Sequence, residues 1–293
     1  MHSGTARRLV PLLSVASATL AAVSLLSAPA VDRTPAPAAS APVAPAQAPA
    51  VRRCVVIHDV AAGTTSRTGD AACATRLAPA STFKIPHALV ALETGVVTAG
   101  SVERWDGTPF PGRPAWERDH TVISALRPSA LWVFQRVAPR VGAARMHAWL
   151  TRFQYGNADT SGPIREYWLN GRLQISPEEQ VAFLRRLYDG ALPLSAGHVA
   201  AVRRGLTEAP GTVENATGLH ALDVHWRDGW ALEAKTGATR SADGTGISWL
   251  VGRWTIDGHP YVFAGAAWRP GEVDGLDGTR AVVDAMRARG LLR

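Results

Sequence analysis

The chain is 293 residues long, 46% hydrophobic and 19% charged, with a formal net charge of +7. That composition supplies a globular core and excludes a disordered or low-complexity protein. The basic residues occur in pairs at most, so they build no tract of the kind that grips nucleic acid, and no nucleic-acid partner is expected.

Residues 1–30 carry Arg7 and Arg8, then an apolar stretch over 9–26, then Ser-Ala-Pro-Ala. This is the pattern of a signal peptide cleaved after Ala30, and it predicts an exported, periplasmic or secreted protein. Pro11 and the Ser and Thr residues of the stretch argue against a stable membrane span after leader removal. Removal takes two charges, 7 − 2 = +5. Residues 31–50 hold five prolines among many alanines and read as an extended, flexible linker. The folded domain is expected over 51–293.

Cys54 and Cys73 bracket an expected hairpin, RRCVVIHDV to TTSRTGDAAC. In an exported chain this pair is expected to form a disulfide, with two buried thiols as the alternative. PASTFKIPHALVALETG (79–95) reads as a helix stopped at Gly95, with Pro86 tolerated near its first turn. Apolar spacing predicts further helices over 129–138 and 142–153. The clearest helix is SPEEQVAFLRRLYDG (176–190). Ser176 and Glu179 form a capping box, Pro177 takes the first position, and Gly190 ends it.

From about residue 228 the period changes. DGWALEAKTG, GISWLVGRWTID and PYVFAGAAW read as three strands, the last two joined by a tight turn at Asp257-Gly258. A helix over 279–292 closes the chain. The expected fold class is α/β, of the α+β kind. An antiparallel sheet comes from both termini (about 51–78 and 226–293), is flanked by helices, and carries an inserted all-helical part over about 79–225.

Among 31 Lys plus Arg, only Lys84 and Lys235 are lysines. A buried amine can lose its proton and act as a base; a guanidinium cannot. Ser81 lies three residues before Lys84, on one helix face, with Cβ atoms about 5–6 Å apart. Lys235-Thr236-Gly237 ends a strand. It offers a charge, a hydroxyl and open backbone, suited to an acidic substrate group and to an oxyanion held by N–H groups. S-x-x-K with K-T-G is the pairing of the penicillin-recognising acyl-serine enzymes.

PASTFKIP, Tyr155-Gly156-Asn157, Tyr167-Trp168-Leu169, ISPEEQVAFLRRLYDGALPLS and AKTG occur in this order. With them the chain, from about residue 51 to its C-terminus, resembles a class D (oxacillinase-type) serine β-lactamase. The resemblance implies a β-lactamase/transpeptidase-like fold and hydrolysis of small-molecule β-lactams through an acyl-serine intermediate. It implies Ser81 as nucleophile and Lys84, carrying CO2 as a covalent carbamate, as general base. No other cofactor and no metal are expected, and the oligomeric state stays open. Ser129 would relay a proton to the lactam nitrogen, with Lys235 beside it. Thr236, Gly237, Ala238 and Arg280 are the expected substrate-binding set. The N–H groups of Ser81 and Ala238 would bind the oxyanion; Thr236 and Arg280 would hold the substrate carboxylate. Leu131, Tyr155, Asn157 and Trp168 would support the site. Phe83, Leu131 and Trp168 would wall the lysine, and the Trp168 indole N–H would bond the carbamate.

Departures from the family pattern are specific. Ser129-Ala130-Leu131 stands where Ser-x-Val is usual, which changes water access to the lysine. Ala238 follows K-T-G where an aromatic residue or Thr is common, which opens the edge. Glu166-Tyr-Trp-Leu-Asn170 coincides with the E-x-x-L-N of class A enzymes. The S-D-N of that class is absent, so Glu166 is expected at the surface. His220 and His225, five apart in a loop-like region, are not expected to hold zinc. Two rivals remain. A penicillin sensor domain would acylate and stay acylated. A peptidoglycan D,D-peptidase would share serine and lysine but not the other motifs.

Overall fold

A computed structural model describes residues 49–293 of the chain. The expected leader, and the linker up to residue 48, lie outside the described residues. The chain opens with strands β1 (Arg52–Asp59) and β2 (Thr64–Thr68) and the short helix α1 (Asp70–Cys73). A 3-10 turn (Ala80–Phe83) runs into α2 (Lys84–Glu93), followed by α3 (Leu131–Val141), α4 (Ala143–Arg152), α5 (Pro177–Tyr188) and α6 (Ala196–Leu206). Then come β3 (Thr212–Asn215), β4 (Gly218–Ala221), β5 (Ala231–Arg240), β6 (Thr245–Ile256), β7 (His259–Pro270) and α7 (Asp277–Ala288).

Five strands form an antiparallel sheet in the order β2-β1-β7-β6-β5, so the sheet is built from both ends of the chain as the sequence predicts. The alternation along β1 shows why. Cys54 and Val56 point into a core shared with the helical part, while Val55 and Ile57 point into a second core with Leu250, Phe263, Val282 and Met286 of β6, β7 and α7. Burial on both faces makes the strand read as a continuous apolar run. Between β6 and β7, Ile256 pairs with His259, and Asp257 and Gly258 both take positive φ (48° and 81°), the geometry of a two-residue hairpin turn.

The middle of the chain is not wholly helical. β3 and β4 pair as a hairpin over 212–221, which departs from the all-helical part expected over 79–225, and α6 precedes it. Each hairpin strand is only four residues long, too short for a periodicity signal, and its position is set by packing beside β5. The capping box of α5 forms as expected: Glu179 N–H donates to Ser176 Oγ (3.2 Å) and Ser176 N–H donates to Glu179 Oε2 (2.9 Å).

Cys54 and Cys73, both buried, form a disulfide with Cα atoms 5.2 Å apart and 19 residues of separation. It ties the central part of the sheet to the segment that leads into the 3-10 turn. Loop-closure entropy makes such a bridge worth about 3 kcal/mol. The double variant Cys54→Ala/Cys73→Ala is expected to melt about 6–12 °C lower. A calorimetric Tm within about 2 °C of the parent would show that the bridge adds little.

Candidate active site

The 3-10 turn is pinned on several sides. Ala80 N–H donates to the Trp168 carbonyl (3.0 Å), and the Trp249 indole N–H donates to the Ala78 carbonyl (2.9 Å). Gln180 Nε2 donates to Thr82 Oγ1 (2.9 Å) and to the Tyr155 hydroxyl (3.4 Å), while Thr82 Oγ1 donates to the Pro79 carbonyl (2.7 Å). These contacts hold Ser81 at the floor of a cleft.

Three residues on, Lys84 is 1% exposed, and its Nζ lies 2.7 Å from Ser81 Oγ. Its surroundings are aromatic. Nζ stands 5.4 Å from the Phe134 ring centre, and Phe83 stacks on Trp168 at 5.5 Å. Burial holds the Lys84 amine far below its ordinary range, and the charge of Lys235 pushes it the same way. A neutral amine at this distance accepts the serine proton.

Ser129 precedes α3 rather than starting a helix, because its backbone takes φ +59°, where the helix cannot continue. Its hydroxyl is buried and makes no hydrogen bond. The Trp168 indole N–H and both ring nitrogens of His87 are likewise buried and unbonded.

β5 is the edge strand nearest the 3-10 turn. Glu208 N–H donates to the Leu232 carbonyl (2.9 Å) on the outer side of β5. With a period of two along the strand, Ala234, Thr236 and Ala238 also turn their backbone groups outward. Ala238, with its N–H on this free edge, lines the same cleft as Ser81. Gly237 lets the strand approach: a Cβ there would meet the Pro79 carbonyl at 3.1 Å and Ser81 N at 3.3 Å.

Lys235 is 1% exposed and donates to the Thr236 carbonyl (3.0 Å) and Oγ1 (3.2 Å). Behind it lies Glu208, 6% exposed, which accepts from the Glu214 N–H (3.1 Å) with one oxygen while the other is unbonded. Burial pushes Lys235 down to about 7, and Glu208 opposes that shift. Burial pushes the Glu208 carboxyl up, and Lys235 opposes it in turn. Sequence reasoning missed Glu208, a lone acid in Leu-Thr-Glu-Ala-Pro with no motif around it.

The cleft, of about 360 Å³, is lined by Ser81, Ser129, Thr236, Gly237 and Ala238, so the expected nucleophile, relay and substrate-binding strand converge. Arg113, His220 and Asp274 complete its rim. Arg280 is placed differently. It pairs with Asp274 (2.8 Å) and Asp277 (3.2 Å) and lines an adjoining cleft with Leu219 and Arg287. The guanidinium that lines the Ser81 cleft is Arg113, over the Trp116 ring at 4.7 Å and without a carboxylate partner among the described residues. Its setting in a Gly-Arg-Pro loop carries no signal of that role.

Of the supporting residues, Tyr155 is buried against Phe83 and Phe183. Asn157 accepts from Gln174 N–H (2.9 Å) and donates to the Arg172 carbonyl (2.8 Å), fixing the loop that carries Trp168. Leu131 begins α3 and is half-buried against the core that holds Phe83, Phe134 and Trp168. Glu166 is exposed, as expected. His220 bonds to Asn215 (2.9 Å) within the hairpin, and no group of three or more His, Cys, Asp or Glu suited to a metal occurs among the described residues.

Residues 55–285 match the penicillin-binding-protein transpeptidase domain family. β-Lactamase OXA-48 of Klebsiella pneumoniae is 38% identical over 64% of this chain and 64% of its own. The probable β-lactamase YbxI of Bacillus subtilis (strain 168) is 35% identical over 74% of this chain and 73% of its own. Among solved structures, the class D β-lactamase YbXI from Nostoc superposes with a TM-score of 0.71 at 29% identity, covering 83% of this chain and 95% of that one. The C-terminal domain of the Bacillus licheniformis BlaR penicillin-receptor superposes with a TM-score of 0.70 at 26% identity, covering 82% and 91%. Identity to YbxI, likeness to the Nostoc structure and the Ser81–Lys84 pair carry one conclusion: this chain belongs to the class D serine β-lactamase family.

Proposed function

We propose that the protein hydrolyses β-lactams through an acyl intermediate on Ser81. The observation that carries this reading is the 2.7 Å contact between Ser81 Oγ and the amine of a fully buried lysine. Lys84 takes the hydroxyl proton as Ser81 Oγ attacks the lactam carbonyl. The N–H groups of Ser81 and Ala238 stabilise the oxyanion. As the C–N bond opens, Ser129 passes a proton from Lys235 to the leaving nitrogen. Thr236 and Arg113 are the cleft groups suited to the substrate carboxylate; Arg280 is paired with Asp274 on the cleft rim.

Lys84 is also the residue on which the family implies a CO2-derived carbamate. The residues fit: the pocket favours the neutral amine that CO2 requires, and the unbonded Trp168 indole N–H is a ready donor for the new oxygens. When present, the group supplies a general base for acylation and deacylation. The disulfide suits an exported protein, in line with a leader cleaved after Ala30.

A second reading rests on the likeness to the receptor domain, whose site would acylate without turning over. The purified protein, given a chromogenic cephalosporin in CO2-stripped buffer and then with bicarbonate restored, separates the two. Many turnovers that slow without CO2 and recover with it are expected. One stoichiometric burst in both conditions would establish a sensor; turnover indifferent to CO2 would remove the carbamate from Lys84.

A further inference from the structure

His87 takes no part in the steps above, yet it lies inside the lysine pocket. It follows Lys84 by three positions on α2, so both side chains leave the same helix face. It is 1% exposed. Its ring centre stands 5.4 Å from Phe83, 5.3 Å from Phe134 and 5.6 Å from Trp168. Lys84 Nζ borders the same Phe134 ring, so amine and imidazole share one aromatic box.

Both ring nitrogens of His87 are buried without a hydrogen bond. An unmet buried polar group is destabilising, and a phenylalanine in this box would carry no such cost. One more unmet group belongs to the box, Trp168 Nε1. The indole can only donate, and a neutral imidazole donates through one nitrogen. An acceptor-rich group on the amine would meet both of these donors. Burial, and the charge on Lys84, hold the imidazole neutral, lowering it to about 3. An anion in place of the neutral Lys84 amine favours an imidazole N–H directed at it.

We infer that His87 is a positioning residue for the CO2-derived group on Lys84, donating a hydrogen bond to it within the shared aromatic box. The inference rests on the carbamate reading above, and NMR of the whole protein distinguishes the two. With 13C-bicarbonate, a carbamate carbonyl signal is expected in the parent; its absence at saturating bicarbonate overturns the reading and the inference together. With the signal present, one His87 ring nitrogen is expected to shift from a free to a hydrogen-bonded 15N frequency as bicarbonate is added. His87→Phe, which keeps the ring and loses both nitrogens, is expected to need at least about tenfold more bicarbonate for half-loading, and His87→Asn, which keeps a donor, less than about threefold more. Loading of His87→Phe at the parent's bicarbonate concentration overturns the inference alone. So do ring nitrogens that are hydrogen-bonded equally with and without bicarbonate, since water then serves them. Should His87→Phe fail to fold, the ring-nitrogen shift in the parent decides.

Discussion

Lys84→Met is expected to abolish turnover and to raise the melting temperature. Methionine matches the length of the lysine stem and leaves an apolar side chain in an aromatic box. Loss of a general base costs about 10²–10⁴-fold in rate, and loss of a base used in two steps falls at the upper end. Stability moves the other way, because a buried cation without a counter-charge is expensive. The folded-state pKa of Lys84 lies below its unfolded value, so between the two the unfolded chain binds more protons. The parent therefore gains stability as pH rises through that window, and methionine has no such dependence. In CO2-free buffer the variant is expected to melt several degrees above the parent at pH 6, with the gap narrowing toward pH 10. A rate loss under about tenfold would remove Lys84 as the base. A variant less stable at every pH would show that the amine is held by favourable contacts rather than tolerated.

Glu208→Gln is expected to remove activity selectively on the alkaline side of neutrality. Glu208 touches no reacting atom; it acts through Lys235. The amide keeps an acceptor for the Glu214 N–H and loses the negative charge. That charge raises the Lys235 pKa against burial, so without it the ammonium persists only at lower pH. Glu214 also supports the Lys235 charge, while Arg127, 3.5 Å from Glu214, bears on Glu208. kcat/KM is expected to fall at least about tenfold at pH 8 and by less than about threefold at pH 6. An equal loss at both pH values would mean that the change distorts the backbone beside β5. No change at either would show that Lys235 keeps its proton without Glu208.

How much of this is legible in the sequence depends on how locally each feature is encoded. Ser81 and Lys84 are readable because their relation is one helical turn, and the capping box of α5 because it closes within four residues. β6, β7 and their turn announce themselves through length, alternation and Asp-Gly. Features fixed by distant partners stay hidden. α6 carries Gly205, a poor helix residue, because a Cβ there would meet Leu126 Cδ1 at 2.7 Å and the Ile123 carbonyl at 2.8 Å. Arg280 sits in the expected stretch, paired with Asp277 and with Asp274 of the cleft rim, and only tertiary geometry brings Arg113 to the cleft.

The pairing of β1 with β7 reaches into how the protein is made. Arg52 lies opposite Trp268, 268 − 52 = 216 positions later. Contacts of such separation form late and slowly. A nascent chain emerging N-terminus first carries Ser81 and Lys84 long before β5 supplies Lys235 or β7 closes on β1. Until then Ser81 and Lys84 stand without the strand that lines their cleft and without the charge of Lys235 that helps to lower the Lys84 amine.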